Sequence, residues 1–256
     1  MVDKVSKDKM RLDLLLVQRG MAESREKAKA IIMAGEVAVD GLKADKPGHL
    51  FSGSSNISIK MASPSYVSRG GLKLEAALDY FLIDVEGLTL LDIGASTGGF
   101  TDCLLKRGAQ KVIAVDVGYG QIHWNLRQDP RVRILEKTNV RYLKPEDFVE
   151  HINGAVIDVS FISLKLVIPP VSKLLLDNSF IIALIKPQFE AGRRQVGKGG
   201  VVRDPLIHKE VVDGLSSFFK GQGWNWVGCV PSPILGPKGN QEFLSYMKRG
   251  FSGCKS

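Results

Sequence analysis

The sequence predicts an α/β protein, with a doubly wound and mostly parallel sheet preceded by a small α+β unit. Three observations carry this. Apolar runs of strand length recur from residue 89 to the C-terminus, at 89–94, 111–118, 154–160, 179–186, 226–233 and 242–249. Stretches able to form helices lie between most of them, which is the order of a sheet covered on both faces. Residues 11–60 show a different pattern, two short amphipathic helices followed by alternating strand segments.

The N-terminal unit reads as follows. Leu12, Leu15 and Leu16 mark a first helix that stops at Arg19-Gly20. Ser24 is placed to cap a second helix, "SREKAKAIIMAG", ending at Gly35. "EVAVDG" alternates like a strand and ends in the turn signal Asp40-Gly41, and "NISIK" supplies a further strand. Arg11, Arg19, Arg25, Lys27 and Lys29 make this unit basic. "MASPSY" (61–66) is a Ser/Pro connector, dividing the chain into 1–60, 61–66 and 67–256.

The chain has 256 residues and a formal net charge of +8. A positive balance of that size favours a polyanionic partner. Cys103, Cys229 and Cys254 are odd in number and form no CxxC pair, which fits a reducing compartment and neither a disulfide framework nor a zinc ribbon. The four histidines lack metal-ligand spacing, so no metal is expected. The charged N-terminus has no apolar signal region, and "SFIIALI" (179–185) reads as a buried strand, too short to span a bilayer. A cytoplasmic protein without membrane insertion is the expectation.

"LLDIGASTGGFTDCLL" (90–105) is the strongest local signal. A strand ends near Asp92, a glycine-rich turn follows, and a helix begins near Gly98-Gly99. Glycines there let the backbone approach a ligand closely. The motif is neither GxGxxG nor a Walker A loop. About twenty residues on, Asp116 ends the next strand, where an acidic side chain holds ribose hydroxyls. A nucleoside cofactor without a pyrophosphate fits best.

A second set of residues is scattered in sequence. Asp158 ends "GAVID", Lys186 ends "SFIIALI", Glu242 begins the last strand and Lys73 lies in the first turn of the helix in "VSRGGLKLEAAL", where Ser68 is placed as cap. A cation in a first helical turn opposes the helix dipole, at about 0.3–1 kcal/mol. Strand ends of a doubly wound sheet converge on one crevice. Lysine and aspartate ending apolar strands need partners there.

The glycine turn and Asp116 resemble the class I methyltransferases, which have a Rossmann-like fold and use S-adenosylmethionine. That resemblance assigns the cofactor to Asp92, Gly94, Ala95, Ser96, Gly98, Gly99, Phe100, Asp116, Val117, Asn139 and Asp158, with Asp116 on the ribose and Asn139 near the adenine. The order of elements in residues 11–60, carried by Arg11-Leu-Asp, Ser24-Arg25, Ala28 and Ile32 through "AGEVAVDG", resembles the S4 RNA-binding domain. A Lys73–Asp158–Lys186–Glu242 tetrad is similar to that of the RrmJ/FtsJ type of 2′-O-ribose methyltransferase. With the S4 unit, "YVSRGGLKLEAAL", "IDVSFISL", "IKPQFE", "GKGGVVRD" and "NQEFL" make the whole resemble the TlyA, or hemolysin A, family.

That family implies methylation of ribosomal RNA, on ribose 2′-hydroxyls of cytidine, with the four tetrad residues catalytic. The S4 resemblance makes Arg25 and Lys29 the foremost candidates for RNA phosphate contacts, with Arg11 nearby; Arg69, and Arg193, Arg194 and Lys198 in the basic loop after Lys186, are further candidates by their charge beside the proposed catalytic residues. Within the tetrad, Lys186 is the expected base or hydroxyl-orienting group. Asp158 would orient it, Glu242 would position Lys73, and Lys73 is a neighbouring cation able to lower the pKa of Lys186. The connector "MASPS" contains neither Arg nor Trp, unlike the linker of some family members.

Overall fold

A computed structural model describes residues 9–22, 24–33, 35–59, 66–192 and 194–249. The chain divides into two compact units, 1–64 and 65–256.

The first unit holds β1 (Lys9–Arg11), α1 (Leu12–Gln18), α2 (Arg25–Met33), β2 (Val37–Val39), β3 (Leu42–Ala44), β4 (Leu50–Ser52) and β5 (Ile57–Ile59). Leu12, Leu15 and Leu16 of α1 pack with Ala28 and Ile32 of α2 and with Val37, Val39 and Ile57. Ser24 Oγ accepts the Lys27 N–H at 3.2 Å, as its capping position requires. Asp40 and Gly41 both take positive φ, which closes the β2–β3 hairpin. The strands β1, β3 and β4 have no counterpart in the sequence reading. All five strands of this unit have three residues, and only β2 and β5 carry the β-branched Val and Ile pairs that mark a strand.

The second unit runs α3 (Gly70–Tyr80), β6 (Thr89–Ile93), α4 (Gly99–Lys106), β7 (Lys111–Val115), α5 (Trp124–Arg127), β8 (Val132–Leu135), β9 (Gly154–Ile157), α6 (Leu164–Ser172), β10 (Phe180–Ile185), α7 (Pro187–Glu190), α8 (Pro205–Gly221), β11 (Trp224–Pro231) and β12 (Phe243–Arg249). Seven strands form one sheet in the order β11-β12-β10-β9-β6-β7-β8. β12 alone runs opposite to the other six strands.

Strand side chains alternate between two cores. Leu90, Val112, Val156, Ile182 and Leu244 face α3 and α4, while Leu91, Ile113, Ala155, Ile181 and Met247 face α6 and α8. The doubly wound arrangement follows, because strands buried on both faces read as continuous apolar runs. Ser68 does not cap α3. That helix starts at Gly70, its first turn carries no side-chain cap, and the Ser68 carbonyl instead accepts the Gly71 N–H at 3.2 Å.

Candidate active site and cofactor crevice

Strand order brings the chemistry-bearing residues to one edge. Asp158 follows β9 and Lys186 follows β10, both at C-terminal strand ends. Glu242 precedes β12, whose reversed direction pairs Phe243 with Ile185. The start of the last strand therefore meets the ends of the others.

Two ion pairs form there. Lys73 Nζ donates to Glu242 Oε2 at 2.6 Å across 169 positions of sequence. Lys73 is 9% and Glu242 0% exposed, so the pair is shielded from solvent screening. Lys186 Nζ lies 2.5 Å from Asp158 Oδ1 and donates a hydrogen bond to Ser160 Oγ at 2.8 Å. The Lys73–Glu242 contact is the pairing expected for these two residues, with Glu242 holding the Lys73 ammonium in place. Gly236 makes room for Glu242: a Cβ at that position would come within 2.2 Å of Glu242 Oε1.

Two adjoining cavities of about 280 Å³ and 490 Å³ share Gly94, Ser96 and Asp158. The smaller is also lined by Arg69, Lys73, Ala95, Gly99 and Phe100, and by the 234–237 segment, which the sequence reading had not singled out. The larger is lined by Asp116, Val117, Asn139, Ser160 and Phe161, with Val140, Ile162 and Val167 as an apolar wall. Asp116 accepts the Ser96 N–H at 2.8 Å and the Gly118 N–H at 2.6 Å, which fixes its carboxylate at the crevice. Asn139 Oδ1 accepts the Arg141 N–H at 3.1 Å and so caps the turn at 140–142. Gly98 adopts φ +94 as α4 begins, and a Cβ on Gly99 would come within 2.2 Å of Ser68 Oγ. These glycines let the two helix starts approach.

The lining suits S-adenosylmethionine, a nucleoside bearing a cationic sulfonium and an ammonium. Buried carboxylate oxygens of Asp92, Asp158 and Glu242 make no aligned hydrogen bond. Of these, Asp158 lines both cavities, where a carboxylate suits a cationic, donor-bearing ligand. Asp92 is fully buried beneath the glycine loop, and its other oxygen accepts from Thr101 Oγ1 at 2.6 Å. Burial raises its pKa to about 7, opposed by the Thr101 hydrogen bond and assisted by the negative charge of Asp158.

A stability prediction follows. The folded chain keeps this proton up to about pH 7, whereas an unfolded aspartate loses it near pH 4. Folding stability therefore falls as pH rises between those values, by at most about 1.4 kcal/mol per pH unit. Denaturant unfolding at pH 5 and pH 8 should show Asp92→Asn with a smaller loss than the native chain; equal losses would refute the assignment.

Arg11 and Arg25 both bind Asp13, a fully buried carboxylate, at 3.0 Å. The Arg11 guanidinium foremost, with Arg25, holds that carboxyl well below the usual carboxylate range. The two arginines thus organise the N-terminal unit and still present partly exposed guanidinium groups. Lys29 is half-buried on α2, and Arg194 and Lys198 are exposed. Arg193, Cys254 and residues 61–65 of the connector lie outside the described residues. Burial pushes the Cys103 and Cys229 thiols up to about 12, so neither is an activated nucleophile. Among the described residues no group of His, Cys, Asp and Glu is arranged to hold a metal, and no helix is long and apolar enough to cross a membrane.

Ser160, Thr101 and Asn240 escaped the sequence reading. Asn240 is buried and joins the basic loop to the 237–240 turn, accepting from the Val202 N–H and donating to the Gly200 and Pro237 carbonyls. Ser160 and Asn240 lie in loops that carry no periodic signal, and Thr101 lies inside α4 on a buried face, so only their partners reveal them.

Residues 66–249 match the FtsJ-like methyltransferase family, and residues 10–57 match the S4 domain. The chain is 51% identical over 240 residues to "Putative rRNA methyltransferase YqxC" of Bacillus subtilis, covering 93% of this chain and 85% of that one. It is 46% identical over 239 residues to the 16S/23S rRNA (cytidine-2′-O)-methyltransferase TlyA of Mycobacterium tuberculosis, covering 93% and 89%. A solved structure described as a "Putative hemolysin" from Streptococcus thermophilus superposes with TM-score 0.75 at 47% identity, covering 96% of this chain and 90% of that one. The α/β sheet, the glycine-loop crevice and these matches agree. The chain belongs to the TlyA family, an FtsJ-like, S-adenosylmethionine-dependent methyltransferase with an S4 domain ahead of it.

Proposed function

We propose that the protein methylates a ribose 2′-hydroxyl of ribosomal RNA, on a cytidine, in the cytoplasm. The observation that carries this reading is the convergence of Lys73–Glu242 and Asp158–Lys186 at the edge of the cofactor crevice. The reading is further supported by the activity named for the Mycobacterium tuberculosis relative and by a net charge of +8.

The cofactor supplies a methyl group already activated on a sulfonium. What remains for the chain is alignment of the hydroxyl and management of one proton. Lys186 stands as the base or orienting group, held by Asp158. Glu242 fixes Lys73, which lines the smaller cavity and offers its charge to the incoming ribose. Asp116 would hold the cofactor ribose, Asn139 the adenine edge, and Gly94, Ala95, Ser96, Gly98, Gly99 and Phe100 the remainder, with Asp92 and Val117 at its margins. Arg11, Arg25, Lys29, Arg69, Arg193, Arg194 and Lys198 would contact RNA phosphates, which makes binding salt-dependent.

The test is to incubate the protein with cofactor and ribosomal RNA from a strain lacking it, then map 2′-O-methyl groups by reverse transcription at low nucleotide concentration. New stops at cytidines are expected. Ribosomal RNA left unmethylated, or methylated on a base, would overturn the reading.

A further inference from the structure

Lys186 is held in two different ways. Asp158 Oδ1 is its nearest acceptor at 2.5 Å, yet that oxygen makes no aligned hydrogen bond. The directed hydrogen bond of Lys186 Nζ goes instead to Ser160 Oγ at 2.8 Å. Asp158 thus holds one N–H by charge at contact distance, and Ser160 gives a second N–H a directed bond. A primary amine turns about its Cε–Nζ bond as a three-fold rotor. In the neutral amine one acceptor fixes one N–H and leaves two positions for the lone pair. A second acceptor fixes the other N–H, and the lone pair takes the one direction left.

The surroundings fit this task. Ser160 is exposed and lines the larger cavity, so core packing does not account for it. Its loop is tied to the segment that carries Lys186 by a second bridge. Glu190 accepts from Ser163 Oγ at 2.6 Å and from the Leu164 N–H at 2.7 Å. Glu190 ends α7, which begins one residue after Lys186.

We infer that Ser160 is a positioning residue for methyl transfer, its hydroxyl accepting an N–H of Lys186 and thereby aiming that nitrogen at the substrate hydroxyl. The inference rests on the reading of Lys186 as the group that takes the 2′-hydroxyl proton. In that step the proton moves to Nζ, and the O–H electron pair forms the new O–CH₃ bond. The S–CH₃ pair stays on sulfur, which becomes a neutral thioether. The resulting ammonium keeps Asp158 and Ser160 as partners.

Full-length Ser160→Ala, Ser160→Thr, Lys186→Ala and the Ser160→Ala/Lys186→Ala double variant provide the test. Ser160→Ala should lower kcat about 10–100-fold, the scale of a misaligned reacting group. Its KM for RNA and Kd for S-adenosylmethionine should stay within about twofold, an arm that also shows the variant is folded. Ser160→Thr keeps the hydroxyl at an exposed position and should restore kcat. In cofactor-free protein, acylation of Lys186 by acetic anhydride, read by peptide mass spectrometry, should be faster in Ser160→Ala because the amine is released. The double variant should be no slower than Lys186→Ala.

Unchanged kcat or unchanged acylation in Ser160→Ala, while Lys186→Ala is inactive, overturns the role of Ser160 alone. A further loss in the double variant does the same. Full activity in Lys186→Ala overturns the reading of Lys186 and this inference with it.

Discussion

Lys186→Ala is expected to lower kcat for ribose methylation by about 10²–10⁴-fold, the contribution typical of a positioned acid–base group. The geometry is the reason. Lys186 is 8% exposed, and its ammonium or amine faces a carboxylate and a hydroxyl at contact distance. Neither S-adenosylmethionine affinity nor RNA affinity should change much, because the loss falls on the reacting hydroxyl. Single-turnover methylation alongside equilibrium binding of both ligands measures this. Full methylation with normal binding would remove Lys186 from the chemistry. Lys186→Arg separates the two roles left open: guanidinium keeps the charge but gives up no proton at working pH. Activity retained by the arginine variant would mean an orienting cation, and activity lost would mean a base.

The second large effect is expected at Gly94. It has φ +82, and a Cβ there would come within 2.5 Å of the Asp158 carbonyl oxygen and 3.0 Å of its carbonyl carbon. Both atoms are backbone and cannot swing aside. Gly94 is also pinned, its N–H donating to the Val115 carbonyl at 2.8 Å. Gly94→Ala must therefore push the glycine loop away from the loop bearing Asp158, opening the floor shared by the two cavities. S-adenosylmethionine Kd should rise at least about 100-fold, consistent with the sensitivity of bound geometry to displacements near 1 Å. Gly87→Ala is the control. Gly87 has φ +70 with nothing within 4 Å, so it should show only the strain of an L-residue in the left-handed region, about 1–2 kcal/mol. Calorimetric titration with thermal melting distinguishes the cases. Equal affinity in Gly94→Ala and the native chain would show that the loop tolerates the displacement.

Much of the architecture was legible because it is written in local periods. Apolar runs announced β9 and β10, and β6 despite its Thr89 and Asp92, as strands buried on both faces of a mostly parallel sheet. The strand β8 has no counterpart among the predicted strands, since "VRIL" carries Arg133, whose guanidinium leaves the strand to meet Glu150 at 3.0 Å. Ser68 was misread for a related reason. Residue type permits a cap, but the two glycines after it set where the helix starts, and the Ser68 hydroxyl packs against Gly99 instead.

Of the candidate site, the sequence by itself determined the residue types and the strand ends that carry them. It could not determine who pairs with whom. Glu242 opens its strand whereas Asp158 and Lys186 follow theirs, and the reversed direction of β12, which pairs Phe243 with Ile185, brings it to the same edge. The partnership of Lys73 with Glu242 came from the family resemblance and not from any local pattern, because the two residues lie 169 positions apart and meet at 2.6 Å only in the fold. Ser160 became visible only as the hydroxyl that Lys186 reaches. Periodicity and turn chemistry act over a few residues, so they can be read along the chain. Ion pairing and hydrogen-bond direction are decided by which strand lies beside which and in what sense it runs, and those are properties of the packed sheet.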